Sequence, residues 1–283
     1  MTTKPLRKRR WPIILLTVAL LAAFCGWFYW QQTGLCPEEI TVADEKLPET
    51  FAGFRITVVS DVHCAEFGRD NEKLLAAVAA QQPDIIAITG DLIDQYRTDL
   101  AMAEPLCRGL AAIAPTYYVT GNHEWALGMA AAVGIKETVA ACGVTVLTNE
   151  YVTLERDGQT VVLAGIDDPN GFADQKSLTQ LMTEIRAELG DPYVILLAHR
   201  NDGALYESCG VDLTLCGHAH GGLIRLPFTD GLVDHDRTLF PTMTAGLYQL
   251  SHGQMVVSRG LGNSGASFRL FNRPHLPVVT LER

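Results

Sequence analysis

The stretch RITVVSDVH, residues 55–63, sets the pattern from which the fold is read. Residues 55–60 form a short β-branched run, suited to a pleated, packed surface, and deliver directly into the polar tripeptide Asp61-Val62-His63. The pattern recurs twice. Residues 85–89 (IIAIT) run into Gly90-Asp91-Leu92-Ile93-Asp94, and residues 116–120 (TYYVT) run into Gly121-Asn122-His123-Glu124. Between these runs, residues 70–82 and 99–114 carry apolar side chains at helical spacing, stopped by Pro83 and Pro115. Strand, helix, strand, helix, strand predicts a parallel sheet with helices packed on its faces.

Further along, the spacing changes. A helix over 129–142 ends at Gly143, and strands are expected over 144–147, 151–155 and 160–166, the last two joined by an Asp157-Gly158 hairpin turn. Another helix over 177–189 precedes strands at 193–198 and 213–216, and residues 248–250 and 255–258 face one another across a Ser-His-Gly turn. No internal repeat is visible. The expectation is one α/β domain of two mixed sheets, parallel and antiparallel, with helices outside. With 48% hydrophobic and 19% charged residues in 283, the chain can bury a sizeable core. The polar clusters follow the ends of apolar strands, where loops in open α/β folds converge on a crevice.

The N-terminus is of another kind. Residues 1–10 carry five of the 22 Lys and Arg, and no acid precedes Glu38, so 17 basic residues face 32 acidic ones over the rest of the chain. So acidic a body lacks the basic stripe that nucleic acid requires, which excludes nucleic acid as a partner. Residues 11–30 are uncharged and apolar, with Trp11 at one end and Trp27, Tyr29 and Trp30 at the other. Twenty such residues match a bilayer's hydrocarbon thickness, and the aromatic ends suit its interfaces. A cleaved signal peptide shares the basic-then-apolar layout, but bulky aromatics stand where a small-residue cleavage site would lie. Arg9-Arg10 sits in a poor context for a twin-arginine signal. The reading is a basic cytoplasmic segment (1–10), a single-pass cell-membrane anchor (11–30), a linker (31–49) and a domain (50–283) facing outward by the positive-inside tendency. The six cysteines beyond Cys25 show no zinc-site spacing, and Cys64 and Cys216 read as small buried apolar residues.

Taken singly, each polar cluster has a bland explanation. Asp61 and His63 on an extended segment point the same way and could share a metal, yet such a tripeptide arises by chance. Asp91 or Asp94 could be a helix cap, and Gly121-Asn122 favours a turn. His199, after the apolar run VILLA, would more often be a core histidine. Gly217-His218-Ala219-His220-Gly221-Gly222 is a better metal signal, with two imidazoles and glycines that admit close backbone approach. Together the balance reverses. Five of eight histidines fall in these clusters, each after an expected strand, and mixed imidazole and carboxylate donors suit zinc, iron or manganese. His235, His252 and His275 have no motif around them and read as surface residues.

The ordered series D-x-H, G-D-x-x-D, G-N-H-E, H and G-H-x-H, over residues 55–222, resembles the calcineurin-like metallophosphoesterase superfamily. The ending RGLGNSG (259–265) and the anchored form resemble a bacterial phosphodiesterase branch, UDP-2,3-diacylglucosamine hydrolase-like. The resemblance implies a four-layer α/β/β/α sandwich and two divalent metal ions (Mn, Fe or Zn). Asp61, His63, Asp91 and His220 would hold one; Asp91, Asn122, His199 and His218 would hold the other. It further implies in-line attack on phosphorus by a hydroxide bridging the metals. His123 would be the acid for the leaving oxygen and Glu124 would orient its ring. Asp94 reads as a residue supporting the site from behind or as a structural one. Where this branch shows H-N-P, the chain has His199-Arg200-Asn201; Arg200 reads as a substrate phosphate clamp or as a surface residue lying on apolar neighbours, with the balance toward the latter.

The expected substrate is a phosphate ester, most naturally a phosphodiester or pyrophosphate of a lipid-linked or envelope molecule, because the anchor keeps the site near the bilayer. A non-catalytic metal-binding relative would be expected to have lost a ligand or the acid, and all eight positions are filled. A phosphomonoesterase or protein phosphatase is the remaining alternative.

Overall fold

Two β-branched sheets face each other across the centre of the protein. The computed structural model describes residues 11–97, 99–234, 238–265 and 267–283. The first sheet is built from β1 (Cys36–Ala43), β2 (Arg55–Val59), β3 (Ile85–Thr89), β4 (Thr116–Val119), β5 (Thr145–Val146) and β12 (His275–Glu282), in the order β1-β12-β2-β3-β4-β5. The second is built from β6 (Glu150–Arg156), β7 (Gln159–Gly165), β8 (Val194–Leu197), β9 (Leu213–Cys216), β10 (Gly246–Gln249) and β11 (Gln254–Val257), in the order β10-β11-β9-β8-β7-β6. Both sheets are mixed: in the first only β12–β2 pairs antiparallel, and in the second β10–β11 and β7–β6 pair antiparallel at the margins of a parallel centre.

The layers follow from which faces are apolar. Ile56, Val58, Ala87, Val119, Leu163, Ile195, Leu215 and Val279 fill the space between the sheets. On the outer face of the first sheet, α2 (Glu72–Ala80), α3 (Leu100–Ile113) and α5 (Met129–Ala141) pack through Leu74, Val78, Leu106, Leu110 and Ile135. On the outer face of the second, α6 (Leu178–Leu189) and α7 (Gly203–Cys209) pack through Leu181, Ile185 and Tyr206. The short α4 (Asn122–Ala126) lies at the end of β4. The four-layer α/β/β/α sandwich of two mixed sheets is therefore present.

Ahead of it, α1 (Trp11–Thr33) is a 23-residue helix whose apolar side chains are largely exposed, long and apolar enough to cross a membrane. Its end is tied down: Gln31 is buried, and Gln32 exchanges hydrogen bonds with the backbone of Arg269 (2.6 and 2.9 Å).

Two expectations need correction. Residues 31–49 are not a linker, because Cys36–Ala43 pairs in parallel with β12 over eight residues and buries Ile40 and Val42. Its Pro-containing, Glu-rich sequence hides an edge strand, where only alternate residues face the core. His275 is not a surface residue. It is fully buried, its Nδ1 accepts the Arg259 N–H (3.1 Å), and Nε2 lies 3.2 Å from the Glu38 carboxylate of β1. His252 is exposed as expected, His235 lies outside the described residues, and all seven cysteines are free.

A chain begun at residue 50 therefore loses a strand and bares β12. It is expected to aggregate on gel filtration, whereas one begun at residue 35 elutes as a folded species. His275 also sets an acid sensitivity. Burial, foremost, lowers its pKa from 6.5 to about 4. Above pH 6.5 it contributes nothing; between 6.5 and 4 the unfolded chain takes up a proton the fold refuses, so stability falls with pH. In urea titrations His275→Gln is expected to lose less stability than the parent between pH 7 and pH 5, by on the order of 2 kcal/mol.

Candidate metal centre

Every expected site residue lies just past the carboxyl end of a strand: Asp61 and His63 after β2, Asp91 after β3, Asn122 and His123 after β4, His199 after β8, His218 and His220 after β9. The two sheets aim these ends at one crevice, and all seven candidate ligands meet there. Three groups have ligand atoms within 4.8 Å of one another: Asp61, His63 and His220; His63, Asp91 and His123; Asp91, His199 and His218.

The convergence is not achieved by strand alternation. Asp61, His63, Asp91, His218 and His220 have φ between 47° and 69°, so the chain leaves each strand through left-handed turns that fold side chains inward. Two glycines make room for the carboxylates. A Cβ on Gly121 would sit 2.2 Å from Asp91 Oδ1, and one on Gly217 would sit 2.2 Å from Asp61 Oδ2. Further bonds fix the acids: Asp61 accepts from Ser60 Oγ (2.6 Å) and the His218 N–H (3.0 Å), and Asp91 Oδ1 accepts from the His123 N–H (2.9 Å).

The donor chemistry tests whether a metal fits. His199 Nδ1 lies 2.9 Å from the Thr89 carbonyl, which only accepts, so Nδ1 carries the hydrogen. In the neutral ring, Nε2 then presents a lone pair to Asn122 Oδ1 (3.0 Å), His218 Nδ1 (3.1 Å) and Asp91 Oδ2 (3.3 Å). Lone pairs converging in a buried place need a proton or a cation among them. Without a metal, a proton serves: burial opposes the charge, but Asp91, Asp61 and Asp168 overcome it and lift the His199 pKa to about 10. Next to this, His63 Nε2 faces His220 Nε2 at 3.1 Å, with Asp91 Oδ2 3.6 Å from the first and Asp61 Oδ1 3.6 Å from the second. Buried His63 has its pKa pushed down to about 4, chiefly by burial, and so offers a lone pair. Burial likewise raises Asp61, whereas at Asp91 the imidazoles of His199, His63 and His123 outweigh burial and hold the carboxyl well below its ordinary value. The residues present fit metal ions.

Above the donors lies a cavity of about 660 Å³, lined by Asp91, Asn122, His123, Arg200, His218 and His220 among others. His123 Nδ1 accepts the Gln95 N–H (3.1 Å), which leaves the ring hydrogen on Nε2, 3.9 Å from Asp91 Oδ2 and near Ser264 Oγ (3.5 Å).

The supporting role of Glu124 differs from expectation. Glu124 does not hold the His123 ring; its carboxylate receives the N–H groups of Asp91, Ile93 and Gly121 (3.1, 3.1 and 2.7 Å) and thus fixes the Asp91 turn. Burial, then the charge of Asp91, raises its pKa to about 7. Asp94 is the acid near the ring, with Oδ1 3.4 Å from His123 Nδ1. Arg200 is not a loose surface side chain either. Its guanidinium holds the buried Asp168 carboxylate through Nε and Nη2 (2.8 and 3.2 Å) at the cavity wall. Two residues escaped notice in the sequence. Asp168 follows β7 just as the other clusters follow their strands, a signal that was there to be used. Fully buried Arg269, whose Nη2 lies 3.2 Å from His220 Nδ1 and which donates to the carbonyls of Arg259 and Gly262, had none.

Comparison with known proteins agrees with this geometry. The family model for calcineurin-like phosphoesterases matches residues 54–222. The uncharacterized metallophosphoesterase YkuE of Bacillus subtilis is 33% identical over 253 residues, 86% of this chain and 84% of that one. The phosphodiesterase YaeI of Escherichia coli is 28% identical over 237 residues, 81% of this chain and 83% of that one. A zebrafish (Danio rerio) transmembrane protein with a metallophosphoesterase domain is 30% identical over 264 residues, 87% of this chain but 57% of its own length.

The Gly121 contact can be isolated, because its φ of −104° suits any residue. Gly121→Ala is expected to displace the Asp91 carboxylate and lower bound manganese or zinc, read by elemental analysis, with the far-UV circular dichroism of the parent.

Proposed function

As this chain belongs to the calcineurin-like phosphoesterase family, we propose that it hydrolyses a phosphodiester or pyrophosphate bond of a lipid-linked or envelope molecule at two divalent cations. One would be held by Asp61, His63, Asp91 and His220, the other by Asp91, Asn122, His199 and His218, with Mn, Fe or Zn as the candidates. The observation that carries this reading is the meeting of lone pairs at His199 Nε2, with the ring hydrogen already committed to Thr89. Once bound, such cations lower the pKa of a water and neutralise charge building on phosphoryl oxygens.

The chain's own residues supply the rest. Arg200, held by Asp168, meets phosphoryl oxygen at the cavity wall. His123 gives its Nε2 hydrogen to the leaving oxygen, and the Gln95 N–H, donating to Nδ1, keeps the ring in place. Asp91 joins the two ligand sets, with Glu124 holding its turn.

The narrower likeness, to UDP-2,3-diacylglucosamine hydrolase-like phosphodiesterases, is supported by where RGLGNSG lies. Gly260 backs onto the Asp61 side chain, and Ser264 reaches His123. The exposed apolar α1, and a relative named as a transmembrane protein, support a single-pass anchor. The N-terminus would then be cytoplasmic and the domain outside.

The test follows metal-stripped full-length protein given manganese or zinc, assayed on bis-p-nitrophenyl phosphate and p-nitrophenyl phosphate. Metal should restore hydrolysis, with the diester preferred, and Asp91→Asn should abolish it. His123→Asn should keep its metal and lose roughly 10²–10⁴-fold in kcat. A chain that binds no metal, or an Asp91→Asn variant as active as the parent, refutes the reading.

A further inference from the structure

The contacts of α1 carry a statement about depth. At about 1.5 Å per residue, its apolar run from Trp11 to Trp30 covers about 30 Å, and Trp27 lies about 5 Å inside the end of that run. The Trp27 ring packs on Phe271 (centroids 5.6 Å apart) and the Phe28 ring on Phe268 (6.2 Å). A side chain that touches a spanning helix inside its last turn shares that depth. Phe268 and Phe271 are otherwise exposed, as an aqueous surface would disfavour.

These two rings belong to a larger lobe. Ile224 bridges to Leu270, Leu223 to Val233, and Val233 to Leu239, so that three chain segments form one unit beside the end of α1. The lobe also exposes Leu226, Phe228, Leu239 and Phe240. Phe228, Phe240 and Phe271 have φ of 66°, 52° and 53°, a region costly for aromatic residues. The C-terminal segment of the lobe is free of acids. The 32 acidic residues of the chain include Asp230 and Asp234 in the first segment of the lobe but none from 238 to 281, and the Arg273 guanidinium stacks on Trp30 at 4.3 Å. The same lobe reaches the site, because Leu223, Val233 and Ser267 line the cavity above Asp91 and His123.

We propose that this lobe is a membrane-contact face that seats the mouth of the metal site on the bilayer crossed by α1, so that phosphate esters enter from the headgroup layer. The proposal rests on the reading of α1 as a span and of the site as hydrolytic.

The test uses the full chain in nanodiscs of phosphatidylethanolamine and phosphatidylglycerol. A polarity-sensitive fluorophore is placed at Phe228→Cys or Phe240→Cys in a Cys25→Ser, Cys36→Ser background, with Asp157→Cys in the β6–β7 turn as control. Brominated lipids should quench the labels at 228 and 240 more than about twofold and leave the label at 157 unchanged. Unquenched labels at 228 and 240 on disc-resident protein overturn the proposal. So does cross-linking between the 228 sites of two chains, which would assign the face to a second copy. In a second arm, the discs carry a p-nitrophenyl phosphodiester bearing an acyl chain. The Phe228→Ser, Phe240→Ser double variant should lose about tenfold on this ester and nothing on soluble bis-p-nitrophenyl phosphate; equal effects on both overturn the seating role. A parent hydrolysing neither ester refutes the hydrolase reading alone, since quenching still reports the contact face.

Discussion

An Asp91 carboxylate oxygen, the Asn122 amide oxygen and a His218 ring nitrogen meet within 3.3 Å of His199 Nε2, and the surrounding structure is arranged to keep these donor atoms together. Each donor sits on a different strand end, so no local element could assemble the group. The cost is spread. It appears as left-handed backbone at five of the seven donors, as two glycines without room for a side chain, and as Glu124 buried beside Asp91. Strain of this kind persists only where its surroundings over-determine it, and two sheets packed through Val119, Leu163 and Ile195 provide that rigidity.

How much of this the sequence disclosed depended on whether the signal was local. Strand runs such as IIAIT and VILLA, and helices bounded by Pro83 and Pro115, are local facts, and they emerged within a residue or two of their expected ends. The donors were legible because each carries its motif beside it. Their mode of convergence was not: extended backbone at Asp61 and His63 would have served as well on paper, and nothing in D-V-H announces a positive φ. β1 escaped because an edge strand exposes every other residue and tolerates Pro37 and Glu38. His275 escaped for a related reason, since its partners Glu38 and Arg259 are distant in sequence and only the pairing of β1 with β12 unites them.

The role of Glu124 follows the same logic. Adjacency in sequence suggested that Glu124 would serve its neighbour His123. In a helix, however, adjacent side chains diverge, and the start of α4 turns Glu124 back toward the free N–H groups of the Asp91 turn. Asp94, three residues beyond Asp91 on another loop, is the one that faces the ring. Arg269 shows the limit of motif reading, because an arginine buried against His220 and two carbonyls is recognisable only from its surroundings.

The position of β12 has a consequence for how the protein is made. Residues 275–282 lie between β1 and β2, so the strand synthesised soonest after α1 has no ladder partner until those late residues exist. A nascent chain therefore cannot close its first sheet until β12 has been made. It must carry β1 as an unpaired edge, tethered by the helix ahead of it, while every element from β2 to β11 is synthesised.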